Sequence, residues 1–380
     1  WPIVDTAITY KEVDGKTFSP RNPDGRYRGV MPVEQALGNS FNIPAFKTIL
    51  WTGVDDMIAT AKSMGITTLD RDLGPAVTLG GVDVKLLDMV YGYSTFANNG
   101  VMAGTPALAA REPGNRELDP VPVLQIRNRQ GKVLLDNTQP KFDYVIAPEY
   151  AWMVTDILSN DKNRQTTYGA GSNLNIAGHK VAVKTGTSEP YEGKKLIGDT
   201  WTIGYTPDIA VGVWVGNSDN SPMVNIFSTT IAGSTWNDTM TMALEGKPAR
   251  DWVKPAGVVK ATVCVPSGRL PVKGVNCPTV KGVFALEALA RANDPLWGGG
   301  EELKEPLPLD SRAIPPEITG VKRYLAEEYL RHFRSPSAPA RRAAPAPAQP
   351  PTESLPPPAS PGGGNGNGNG GNGNGNGNGN

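Results

Sequence analysis

Lys184-Thr185-Gly186-Thr187 gathers a fixed positive charge, two hydroxyl donors and a residue without a side chain into four consecutive positions. Such a set suits an anion. Lys184 supplies the charge, Thr185 and Thr187 the donors, and Gly186 lacks the Cβ that would hold a ligand off the backbone. A peptide ending in a carboxylate can pair there as an added strand. A bare Lys-Thr-Gly arises by chance in about a tenth of chains of this length. Taken alone, it reads more readily as a solvated lysine at a strand end before a polar turn. A second chemistry-bearing set lies far upstream, where Ser40-Phe41-Asn42 puts a hydroxyl and a carboxamide two residues apart.

The elements that carry these sets follow from local pattern. Val181 and Val183 alternate with polar residues, which predicts a strand running into Lys184. Residues 199–205 and 209–216, joined by Thr206-Pro207-Asp208, predict an antiparallel hairpin and hence a sheet of at least three strands. Pro32 at a first helical position opens a helix that Gly38-Asn39 closes. Ser40 and Asn42 therefore fall in an interhelix turn before helices 44–51 and 54–64. Further helices are expected over 84–97, 147–158 and 232–244, and a surface hairpin over 123–127 and 132–136. Residues 1–31 read as irregular, and Thr78-Leu79-Gly80-Gly81 as a tight loop. Helices first, then strands, then a helix imply an α+β fold with helices covering an antiparallel sheet.

The chain has 37 basic and 37 acidic residues, so net charge asks neither for nucleic acid nor for an anionic membrane surface. No window is long and apolar enough for a membrane helix. Cys264 and Cys277 are the only cysteines, and His179 and His332, the only histidines, are remote from them. No zinc or other metal site is expected. A disulfide is the favoured reading, with two buried thiols as the alternative, and it would imply an extracytoplasmic setting. Residues 251–300 read as a small β-rich, Cys-containing domain, 301–334 as a linker with a helix over 320–333, and 335–380 as a disordered Pro/Ala then Gly/Asn tail.

The order of Ser40-Phe41-Asn42 before Lys184-Thr185-Gly186 resembles two of the active-site motifs of penicillin-binding proteins, whose set is Ser-x-x-Lys, Ser-x-Asn and Lys-Thr-Gly. Residues 22–29, 36–45, 93–101, 199–207 and 214–223 are similar to class A, bifunctional members, and the resemblance spans about residues 1–300. It implies a partial transpeptidase domain over 1–250, with the fold shared by these proteins and serine β-lactamases. The implied reaction is D,D-transpeptidation. A serine attacks the penultimate D-Ala carbonyl of a peptidoglycan stem peptide, D-Ala leaves, and a neighbouring stem's amine resolves the acyl-enzyme. β-Lactams are the implied inhibitors, no cofactor is implied, and the setting is the outer face of the bacterial cell membrane. A membrane anchor, a glycosyltransferase domain and cell-wall synthesis partners would lie outside these residues.

The resemblance assigns a proton relay to Ser40 and contacts with the donor's amide and the motif lysine to Asn42. Lys184, Thr185 and Thr187 would take the terminal carboxylate, with the Thr187 N–H in the oxyanion hole. The family's Ser-x-x-Lys should precede Ser40, and residues 1–39 contain none. The chain is thus expected to be a fragment cut after its nucleophile helix, inactive alone. Ser159-Asn160-Asp161-Lys162 and Ser218-Asp219-Asn220 match motifs literally but in the wrong order, and both read as decoys. Asp199 and Trp201 read as packing and strand-pairing residues. Two alternatives stay open: a D,D-carboxypeptidase or β-lactamase-type hydrolase with water as acceptor, and a non-catalytic wall-associated module.

Overall fold

The computed structural model describes residues 2–289, apart from 13–14, 70–72, 189–195, 225, 227, 266, 272 and 275. The 301–334 linker, its helix over 320–333 and the tail over 335–380 lie outside the described residues.

Residues 1–31, expected to be irregular, contain strands β1 (Pro2–Asp5), β2 (Tyr10–Lys11), β3 (Thr17–Phe18) and β4 (Gly29–Pro32). β1 pairs antiparallel with β4 and β2 with β3. The strands are too short to show an alternation. Their regularity comes from burying Ile3 and Met31 against Ala36 and Phe41, a contact between distant segments.

Helices α1 (Val33–Gly38), α2 (Asn42–Thr52) and α3 (Val54–Ser63) follow. α2 starts two residues before the expected Pro44, so Asn42 is its first residue. A 3₁₀ turn over Pro75–Leu79 leads to α4 (Leu86–Ala97). Strand β5 (Val101–Pro106) pairs with β6 (Leu118–Asp119) and β9 (Lys141–Tyr144). Between these partners β7 (Gln125–Arg127) and β8 (Val133–Asp136) form the expected surface hairpin. Helix α5 (Pro148–Ser159), a 3₁₀ turn over Asp161–Asn163 and the single-turn α6 (Gln165–Tyr168) complete this half.

The main sheet is antiparallel, in the order β10 (Ala182–Thr187), β12 (Asp199–Tyr205), β13 (Ala210–Gly216). Two short strands, β11 (Leu196–Ile197) and β14 (Met223–Val224), pair beside it. Alternation along β10 divides its side chains between two layers. Val181 and Val183 face Trp236, Met240 and Leu244 of α7 (Ala232–Leu244). Ala182 faces the other way, toward Tyr205, Trp252 and Leu158 of α5. Each large side chain buried in these layers contributes about 1.5–3 kcal/mol by area. The strand that carries Lys184 is therefore clamped on both faces.

A final hairpin pairs β15 (Val258–Cys264) with β16 (Thr279–Ala285), followed by α8 (Leu286–Leu289). Cys264 and Cys277 form the expected disulfide, with their Cα atoms 5.5 Å apart. The architecture is the expected α+β arrangement, an antiparallel sheet between helical layers.

Candidate active site

The site begins with the way α1 ends. The Phe41 N–H reaches the Ala36 carbonyl and the Ser40 N–H the Leu37 carbonyl, both at 3.1 Å. This is the bonding of a Schellman motif, whose last turn closes through a left-handed residue that is usually glycine. Here that residue is Ser40, at φ 60°. A side chain in this conformation carries a backbone strain of about 1 kcal/mol relative to glycine. Phe41 and Ala36 supply the apolar contact of the motif. A strained serine at a position suited to glycine points to a use for its hydroxyl.

That hydroxyl meets Lys184. The Lys184 Nζ donates to Ser40 Oγ at 2.6 Å and to the Thr185 carbonyl at 2.7 Å. Two motifs separated by 144 residues thus converge on one hydrogen bond. Burial, with no carboxylate paired to it among the described residues, pushes Lys184 down to about 8.

β10 is the edge of its sheet among the described residues. Just beyond it, Ser188 directs its N–H to the Asp199 carbonyl and accepts from the Gly198 N–H, both at 3.0 Å. Antiparallel alternation then turns the N–H and C=O groups of Thr187 and Thr185 to the open edge. The Thr187 N–H therefore lies on the open edge of the sheet. The Thr187 side chain is half-buried, and its hydroxyl bonds to no described residue. Gly186 faces Trp201 across the ladder, and a Cβ there would lie 3.3 Å from the Trp201 Cβ. Its lack of a side chain thus accommodates Trp201 as well as keeping the backbone open.

Asn42 is the first residue of α2. Its Nδ2 donates to the Arg21 carbonyl at 2.9 Å, with no hydrogen bond to Lys184. The turn between Ser40 and Asn42 is fixed from behind by a buried polar cluster. Asn22 donates to Asp5 Oδ1 at 2.7 Å and accepts from the Ile43 N–H at 3.2 Å. The Arg28 guanidinium lies 3.9 Å from the Phe41 ring centroid and pairs with Asp24 at 2.5 Å. The 22–29 stretch noted in the sequence therefore acts as the mount of the Ser-Phe-Asn turn.

Sequence reasoning missed Tyr168. Its hydroxyl is 2.6 Å from Thr185 Oγ1, and burial raises its pKa against the pull of hydrogen bonds with Thr185 and Ser40. No motif marks it, because only the long-range approach of α6 to the Ser40 turn brings it in. That approach needs Gly38, where a Cβ would lie 2.6 Å from the Asn163 carbonyl oxygen. Asn39 locks it, donating to the Asn163 carbonyl at 2.6 Å and accepting from the Thr167 N–H at 2.9 Å.

The two literal motif matches stay apart from this centre. Ser159 Oγ donates to the Asp156 carbonyl within the last turn of α5, and Lys162 sits in the following 3₁₀ turn. Asp219 accepts from the Ser221 N–H in an exposed turn after β13, with Asn220 at φ 58°. Asp199 ties Ser188 at 2.9 Å and the Trp214 indole at 2.8 Å, the strand-pairing work expected of it. Among the described residues no group of His, Cys, Asp and Glu is placed to hold a metal, and no helix is long and apolar enough to cross a membrane.

The family description "Penicillin binding protein transpeptidase domain" matches residues 5–241. Penicillin-binding protein 2D of Bacillus subtilis (strain 168) is 31% identical over 251 residues, 65% of this chain and 33% of that protein. The chain spans about a third of the length of the curated relatives it matches. Two solved structures share the fold. Penicillin-binding protein 1A from Haemophilus influenzae aligns with a TM-score of 0.60 at 21% identity, over 77% of this chain and 45% of that one. The PonA1 protein from Mycobacterium tuberculosis, in complex with penicillin V, aligns with a TM-score of 0.55 at 22% identity, over 67% and 66%. With the Ser40–Lys184 bond at the meeting point of its helical layer and its sheet, the chain belongs to the transpeptidase-domain family of penicillin-binding proteins.

Proposed function

We propose that these residues form the proton-relay and carboxylate-binding half of a peptidoglycan D,D-transpeptidase of the class A, bifunctional type. The observation that carries this reading is the 2.6 Å bond from Lys184 Nζ to Ser40 Oγ. It is the contact a relay needs. The attacking serine belongs to a Ser-x-x-Lys pair, and no residue of this chain is assigned that role. As the tetrahedral intermediate collapses, the Ser40 hydroxyl gives its proton to the leaving D-Ala nitrogen and is resupplied through the lysine it faces. The positive charge of Lys184 draws the donor's terminal carboxylate, to which Thr185 and Thr187 donate. The Thr187 N–H, on the open edge of β10, stabilises the oxyanion. Asn42 exchanges its bond to the Arg21 carbonyl for the donor's backbone amide.

The substrates on this reading are D-Ala-D-Ala stem peptides, and β-lactams act as their mimics. The fold relative with bound penicillin V supports the second assignment. The disulfide supports an extracytoplasmic setting.

The test gives the natural full-length polypeptide a D-Ala-D-Ala donor with and without an amine acceptor. A new amide that forms only with the acceptor is the expected result. Hydrolysis alone, unchanged by acceptor, would replace this reading with a D,D-carboxypeptidase or β-lactamase-type hydrolase. Absence of any turnover would leave the non-catalytic module.

A further inference from the structure

We infer that Tyr168 is a positioning residue for carboxylate recognition, holding the Thr185 hydroxyl so that its single proton points at the terminal carboxylate of the acyl donor. The inference rests on the transpeptidase reading of the site and adds to it a residue that no active-site motif contains.

The argument is one of proton supply. Thr185 is buried, and its hydroxyl has one proton to give. An undirected hydroxyl can turn that proton toward the Tyr168 oxygen, 2.6 Å away, and present only lone pairs to the ligand. An anion fixes the direction. With the Thr185 proton drawn outward, the Tyr168 phenol, protonated at neutral pH, gives its one proton to Thr185 Oγ1, and its oxygen takes the Ser40 contact as acceptor. Thr185 then donates onward to the carboxylate, and the two bonds polarise each other in the same sense. The neighbouring Lys184 Nζ, directed at Ser40 and the Thr185 carbonyl, adds the charge.

The surroundings keep Tyr168 in that place. The Arg164 guanidinium, one helical turn earlier, is buried and donates to the Leu158 carbonyl at 2.7 Å and to Asn175 Oδ1 at 2.8 Å. On the other side the Thr167 hydroxyl donates to the Asn39 carbonyl at 2.9 Å, next to Ser40. Gly169, at φ 76°, turns the chain away directly after the tyrosine. The single turn of α6 is thus tied at both sides, and its tyrosine stands between the Ser40 turn and the Lys184 strand.

The test compares binding of a D-Ala-D-Ala-terminated stem-peptide analogue and of its C-terminal carboxamide to the full-length polypeptide, by NMR titration. Tyr168→Phe keeps the ring and removes only the hydroxyl. The expected result is a loss of about tenfold in affinity for the acid, unchanged affinity for the amide, and no further loss when Tyr168→Phe is added to Thr185→Val. Equal losses for acid and amide would make the hydroxyl a support of the fold and overturn the inference, as would full retention of acid affinity. A wild-type protein that binds acid and amide alike would overturn the substrate reading itself and this inference with it. Wild-type preference for the acid, kept intact in Tyr168→Phe, would overturn the inference alone.

Discussion

Arg28 and Lys184 are both cations set close to the Ser40 turn, and the protein treats them in opposite ways. Arg28 is 6% exposed, pairs with Asp24 at 2.5 Å and Asp5 at 3.7 Å, and stacks on Phe41. Lys184 reaches only a hydroxyl and a carbonyl, and among the described residues no carboxylate offsets it. Two further buried guanidiniums follow Arg28: Arg116 pairs with Asp88 and Asp119, and Arg164 with Asp161. A buried cation with internal partners fixes geometry, because separating the pair leaves a desolvated charge. Half-buried Lys184, without such partners among the described residues, keeps its capacity for an external anion, at the expense of a lowered pKa. The paired region is the mount and the unpaired region is the site.

Opposite stability effects at the two cations would sharpen this contrast most. Arg28→Met leaves the fully buried Asp5 with only the charge of Lys47 to offset it and should cost about 3–5 kcal/mol in chemical denaturation at pH 8. Burial already lifts Asp5 to about 6 against the pull of Asn22 and Arg28. At pH 5 Asp5 takes up a proton, and the loss should shrink. Lys184→Met removes a charge with no internal partner and should leave stability unchanged or raised at pH 7. Comparable destabilisation by both substitutions would break the distinction.

A second effect is read in binding. With Lys184 at about 8 in the folded chain against 10.5 ordinarily, the folded state releases this proton first as pH rises. Its contribution to stability therefore increases across that window. Carboxylate affinity runs the other way, since it needs the charged form. It should fall by up to about tenfold per unit above pH 8, while carboxamide affinity stays flat. A flat profile for both ligands would remove Lys184 from carboxylate binding.

The smallest expected effect lies at Ser40. Ser40→Gly relieves the left-handed strain and should raise stability by up to about 1 kcal/mol, seen as a higher melting temperature, while acyl transfer is lost. A lower melting temperature would show that the Lys184 contact holds the fold together rather than serving the site.

What could be read from sequence was local. The helices over 84–97, 147–158 and 232–244 reappear as Leu86–Ala97, Pro148–Ser159 and Ala232–Leu244, because each has an apolar stripe at helical spacing with a stop signal behind it. The Lys184 strand and its two neighbours were legible from their alternation and the Thr206-Pro207-Asp208 turn. β1 and β4 were not, since each is four residues long and regular only through the other. Ser40 and Lys184 were visible as motif residues, but the tie of Asn42 to the Arg21 carbonyl depends on the fold of residues 1–31, which had read as irregular. Tyr168 was invisible for the same reason, as its partners Ser40 and Thr185 are distant in sequence.

The most direct test of the Ser40–Lys184 centre is the rate at which fluorescent penicillin labels the natural full-length polypeptide and its Ser40→Ala and Lys184→Ala variants, each checked for folding by its melting curve. Slowing of about a hundredfold or more in both variants, with melting curves intact, is the expected result. Labelling of either variant at the wild-type rate would contradict the account and move the acyl-transfer site elsewhere in the chain, with Ser159 the first serine to replace.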